Sequence, residues 1–117
     1  MILDLLFKLL VGHALADMAL QIEPMAKGKN RNYKPDYIPK GQKFVACWPY
    51  WLSAHALIHG GCVYGATGSV YLGIAETFFH WIIDFMKCES WTNPHQDQLL
   101  HFVCKIVYII ILATGGS

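Results

Sequence analysis

Four predominantly apolar stretches divide the chain, at residues 2–21, 48–65, 70–86 and 97–113. Each approaches the ~20 residues that span the hydrocarbon core of a bilayer. None is apolar throughout, because polar residues recur at helical spacing along each one. Such helices shield one another's polar stripes. The connection 22–47 carries Pro24, Pro35, Pro39, Gly28 and Gly41, which deny it a long helix. Pro49 fits the first turn of the second helix, where its missing N–H costs nothing. The connection 66–69 is short enough to force helices two and three into an antiparallel hairpin. Asn93 or His95 begins the fourth helix, with Asp97 near its positive N-terminal end, and Thr114-Gly115-Gly116-Ser117 stops it. The predicted architecture is all-α: one domain over residues 1–117, an up-and-down four-helix transmembrane bundle with a buried His/Asp site.

The polar positions inside the helices carry the candidate chemistry. Five of the six histidines sit in i,i+4 pairs: His13 with Asp17, His55 with His59, His80 with Asp84, and His101 with Asp97. Residues four apart share a helix face and can approach one ion together. Each pair lies on a different predicted helix. In an up-and-down bundle all four pairs fall at one depth, in the half nearest connections one and three. A single His–Asp pair is usually a helix-surface contact, and a lone buried histidine a hydrogen-bonded core residue. Four pairs at one level favour a shared site. Imidazole and carboxylate are ligands that zinc and manganese accept without cysteine. A charged Asp among apolar residues is costly unless it is paired or metal-bound. The eight residues are therefore assigned as ligands of one or two divalent ions.

Charge sets the expected orientation. Six of the nine basic residues (Lys27, Lys29, Arg31, Lys34, Lys40 and Lys43) lie in the connection 22–47, and Lys87 lies on the same side. Beside apolar segments this reads as a cytoplasmic loop rather than a nucleic-acid patch. The termini then face the periplasm of a bacterial inner membrane. Hydrophobic residues make up 55% and charged residues 15%, against about 25% charged in a soluble domain. Ala14-Leu15-Ala16 resembles a signal cleavage site, but Asp4 and Lys8 interrupt the apolar run, so residues 1–21 are expected to be retained. Cys47, Cys62, Cys88 and Cys104 form no CxxC pair, which argues against a zinc ribbon or disulfide scaffold.

Further candidates extend the same stripes. Glu76 stands one turn before His80 and could be a ligand, a general base or a partner for Lys105. Lys105 continues the Asp97–His101 stripe, as an anion-holding cation or as a snorkelling lysine. Gln21 extends the His13–Asp17 face, and His95 reads as an exposed loop residue. Trp48, Tyr50, Trp51 and Trp91 suit an interfacial aromatic belt. No GxGxxG, P-loop, HExxH or GxSxG motif occurs.

The segments His13-Ala-Leu-Ala-Asp17-Met-Ala-Leu-Gln21, His55-Ala-Leu-Ile-His59, His80-Trp-Ile-Ile-Asp84-Phe-Met-Lys87 and Asp97-Gln98-Leu-Leu-His101 resemble the family of small bacterial and phage membrane proteins grouped as domain of unknown function 3307. That resemblance implies no established activity. Its pattern is similar to that of membrane proteins described as metal-dependent hydrolases, which is analogy alone. The expected function is a membrane-embedded metal-dependent hydrolase acting on a lipid-linked or small phosphorylated or ester substrate at the cytoplasmic side. Glu76 and Lys105 are its candidate catalytic residues, as proton acceptor and anion-orienting cation. The lipid bilayer, a divalent metal and an anionic substrate are the expected partners, and a homo-oligomer is compatible with the pattern. Two readings compete with it. One is a non-enzymatic metal or proton carrier, or a phage or bacterial membrane interaction protein. The other is a soluble bundle carrying the same site.

Overall fold

A computed structural model describes residues 1–115, so Gly116 and Ser117 of the predicted helix stop lie outside the described residues. The described residues contain helices and no strand. The elements are α1 (Ile2–Ala14), a π-helical turn (Leu15–Ala19), α2 (Glu23–Gly28), α3 (Trp48–Thr67), α4 (Val70–Cys88) and α5 (Pro94–Ala113).

The local chemistry explains the boundaries. Pro49 occupies the first turn of α3, and Gly68 ends it at φ 73°, a left-handed cap that glycine adopts at little cost. The Ser69 hydroxyl accepts from the Leu72 N–H and starts α4 two residues after α3 stops. Asn93 and Gln96 form a reciprocal capping box, so α5 begins at Pro94, with Asn93, one of the two expected starts, as its cap and ahead of the apolar stretch 97–113. His95 consequently lies exposed in the first turn of α5 rather than in a loop.

The first helix is not continuous to residue 21. It changes to π geometry at Leu15, a form found mostly as single turns inside α-helices and often at functional sites. The connection 22–47 contains a short helix, α2, entered through Pro24 and packed against α3. Beyond α2, Arg31 ion-pairs with Glu89 at the end of α4 and holds its carboxyl below the usual carboxylate range.

The four long helices close a ring: α1 packs on α3 and α5, and α4 packs on the same two. α3 and α4 approach closely, because a Cβ built on Gly60 would lie 2.6 Å from the Gly73 carbonyl oxygen. An apolar layer of Leu9, Val63, Leu72, Tyr108 and Ile109 joins all four long helices. Among the described residues, only α5 is long and apolar enough to cross a membrane by length and composition. By that measure the all-α architecture holds, whereas four spanning helices are not established. α1 is only 13 residues long, and the inward polar residues lower the hydropathy of α3 and α4.

Candidate metal centre

The apolar layer fixes the register of what lies below it. Moving four residues from Leu9 reaches His13 and then Asp17. The same step from Val63 reaches His59 and then His55. From Leu72 it reaches Glu76, His80 and Asp84, and from Ile109 it reaches Lys105, His101 and Asp97. Each step is about 6 Å along a helix, so alternating helix directions bring all four pairs to one level.

The eight predicted ligands do meet. His59 Nε2 lies 2.8 Å from Asp17 Oδ1, with His55 Nε2 3.3 Å from the same oxygen. His13 Nε2 is 3.3 Å from Asp17 Oδ2. On the other side, the Asp84 carboxylate hydrogen-bonds His101 Nε2 at 3.2 Å, with His55 Nε2 3.3 Å and His80 Nε2 3.6 Å away. His101 Nε2 also lies 3.4 Å from Asp97 Oδ1. The His59 and His80 rings stack with centroids 3.6 Å apart, and His80 and His101 stack at 4.0 Å. His55, His59, His80, Asp84, Asp97 and His101 are each at most 1% exposed.

Three groups of atoms converge closely enough to hold an ion. Asp17, His55, His59 and His80 offer four ligand atoms within 4.8 Å of one another, and so do the three atoms of Asp84, Asp97 and His101. Glu76, His80 and His101 form a third group that shares its imidazoles with the other two. The first set, three nitrogens and one oxygen, matches the donor types and number of a tetrahedral zinc site. Stacked, buried imidazoles would repel one another if several were charged, so a cation shared between neutral rings suits this packing. Buried His80 Nε2 and His101 Nδ1 have no hydrogen-bond partner among the described residues.

The secondary candidates occupy a layer next to the imidazoles. Glu76 accepts from Lys105 Nζ at 2.6 Å and from the Tyr108 hydroxyl at 2.8 Å, and its Oε1 lies 3.3 Å from His80 Nδ1. Lys105 is 2% exposed, which corrects the snorkelling alternative. The Gln21 side chain donates to the Asp17 backbone carbonyl at 3.1 Å rather than to its carboxylate. All four cysteines are unbridged.

Three further side chains join the site through partners that the sequence did not show. Lys29, one of six connection cations, is 4% exposed and its Nζ lies 2.6 Å from Asp84 Oδ2. The only hint was Met25 four residues earlier, which α2 buries on the same face. Lys87, expected as a boundary residue or as an alternative to Lys105 for orienting an anion, reaches Asp97 Oδ2 at 3.1 Å. Gln98 bridges α1 and α5. Its oxygen lies 3.0 Å from His13 Nε2, and its nitrogen donates to Asp17 at 3.1 Å and to Asp97 at 3.2 Å. Four carboxylates (Asp17, Glu76, Asp84, Asp97) thus face three ammonium groups (Lys29, Lys87, Lys105). With neutral imidazoles the site carries one excess negative charge, which a bound cation or a proton on one imidazole offsets.

No curated protein and no solved structure matches the chain. The family model described as "Protein of unknown function (DUF3307)" matches residues 5–115, nearly the whole length, and the chain belongs to that family.

Proposed function

We propose that this is an integral membrane protein whose polar interior binds a divalent cation and hydrolyses an ester or phosphoester. The observation that carries the proposal is the convergence of Asp17, His55, His59 and His80 on four ligand atoms within 4.8 Å. Membrane embedding is supported by an inside-out distribution. The buried positions hold His, Asp, Glu and Lys, whereas the outward faces carry Ile74, Phe78 and Phe79 on α4 and Val103, Val107 and Ile110 on α5. Water-soluble monomers rarely expose so continuous an apolar surface. Buried ionisable groups inside membrane proteins commonly mark functional sites. The lysine and arginine excess of the connection 22–47 supports a His/Asp level near the cytoplasmic face of a bacterial inner membrane.

A divalent ion, zinc or manganese by donor type, would supply Lewis acidity and an activated water. The chain's own residues do the rest. Asp17 bonds His59 and Asp84 bonds His101 at Nε2, with His55 Nε2 3.3 Å from both carboxylates, and Glu76 fixes His80 through its Nδ1 side. Lys105 holds Glu76 in place, and Lys29 and Lys87 offset Asp84 and Asp97. The Lys105 ammonium has further donors for an anionic substrate.

A metal or proton carrier is the second reading. The polar chain does continue from His80 to Glu76, Lys105 and Tyr108. Beyond it, Leu9, Val63, Leu72 and Ile109 close the ring with apolar side chains, which opposes a through-path.

Elemental analysis of purified protein tests the proposal. Wild type and His95→Ala are expected to hold at least one zinc or manganese ion per chain. Asp17→Asn and His59→Ala are expected to lose it while keeping their helical circular dichroism. Unchanged metal in both variants would end the ligand assignment. Metal-loaded protein without phosphatase or esterase turnover would favour the carrier.

A further inference from the structure

The His/Asp cluster is closed at one end and open at one side. Toward the connection, Lys29 is seated on Asp84 at 2.6 Å and Lys87 on Asp97 at 3.1 Å, with both carboxylates at most 1% exposed. α2 holds Lys29 there by burying Met25 and packing Gly28 on the Trp51 ring, where an added Cβ would lie 2.5 Å from Trp51 Cδ1. A water-soluble substrate approaching from this end meets lysines already in place.

Between α1 and α5 the packing opens instead into a cavity of about 420 Å³, within the usual size range of small-molecule sites. Leu10, Leu99 and Phe102 line it and are 39%, 62% and 44% exposed, on the same apolar exterior as the outward faces of α4 and α5. His13, His101 and Lys105 also line it, and the last two are 1% and 2% exposed. The cavity therefore grades from an apolar rim to an inner end formed by His13, His101 and Lys105. Gln98 also lines it and joins His13 to Asp17 and Asp97. The larger groove between α3 and α4, about 630 Å³ and lined by Leu57, Phe78 and Trp81, has no such inner end.

We propose that the α1/α5 cavity is a lateral port for an amphiphile: a hydrocarbon chain bearing a phosphate-ester headgroup, which arrives from the bilayer rather than from water. The chain lies against Leu10, Leu99 and Phe102. The headgroup reaches His13, His101 and the ammonium of Lys105, which has donors beyond the one given to Glu76. Binding needs only the cavity, whereas the fate of the headgroup rests on the proposed metal centre.

The test is thermal unfolding in a non-ionic detergent with hexadecyl phosphate, inorganic phosphate or hexadecyltrimethylammonium added, alongside metal analysis of the same samples. Hexadecyl phosphate is expected to raise the unfolding midpoint of wild type where equal concentrations of the other two do not. Leu99→Trp and Phe102→Trp fill the port from exposed positions. They are expected to need at least about tenfold more hexadecyl phosphate for the same shift, whereas Phe78→Trp on the far face responds as wild type. No shift in wild type, equal protection by inorganic phosphate, or unchanged responses in both port variants would overturn the port, even in metal-loaded protein. Protection that persists in protein binding no metal would uphold the port and remove the hydrolase reading instead. The comparison of probes on wild type stands even if a port variant fails to fold.

Discussion

Asp84→Asn removes the carboxylate on which the seated lysine depends. Asp84 is 1% exposed and its oxygens meet Lys29 at 2.6 Å, His101 at 3.2 Å and His55 at 3.3 Å. Lys29 is 4% exposed, so the substitution leaves its ammonium buried without its counter-charge. Breaking a buried pair from one side typically costs about 3–5 kcal/mol. Lys29→Met keeps most of the stem and removes the ammonium. Asp84 then retains its imidazoles and Lys87 at 3.7 Å, and the expected cost is about 1.5–3 kcal/mol, that of one charged hydrogen bond. In the double variant the stranded charge is absent, so its cost is expected to fall short of the sum by about 2 kcal/mol. Reversible unfolding in mixed micelles, followed by far-UV circular dichroism, measures all three. EDTA throughout keeps metal loss out of the difference. An Asp84→Asn cost below about 1 kcal/mol, or additivity within about 0.5 kcal/mol, would refute the buried pair.

Two further outcomes follow from close packing. Gly60→Ala places a methyl group against Thr77 and 2.6 Å from the Gly73 carbonyl oxygen. It is expected to destabilise the α3–α4 pair by about 1–3 kcal/mol, whereas Gly61→Ala, with open space around its Cβ, changes the unfolding midpoint little. Gly28→Ala pushes α2 off the Trp51 ring. A Trp48→Phe, Trp81→Phe, Trp91→Phe background isolates Trp51 fluorescence, and a red shift on Gly28→Ala is expected. An unshifted spectrum would show that α2 does not depend on this contact.

The helices and the set of candidate ligands were legible in the sequence because both depend on local periodicity. Steps of four residues place His13 with Asp17 or His80 with Asp84 on one face whatever surrounds them. The short link at Gly68–Ser69 and the caps at Ser69 and Asn93 are equally local. Alternating helix directions then imply one depth for all four pairs. The long-range pairings were not legible. Which imidazole meets which carboxylate, with Asp17 joining His59 and His55 while Asp84 joins His101, depends on how the ring of helices rotates and closes. The π turn at Leu15 has no sequence signature of its own. Lys29 looked like one loop cation among six, because a side chain 55 residues from its partner leaves no periodic trace. Gln98 likewise gained its role only when α5 came to lie beside α1. Residue spacing along each helix thus determined which groups could meet at one level. Tertiary packing decided their partners and which side of the cluster stayed open, because burial and charge pairing are settled between helices and not within them.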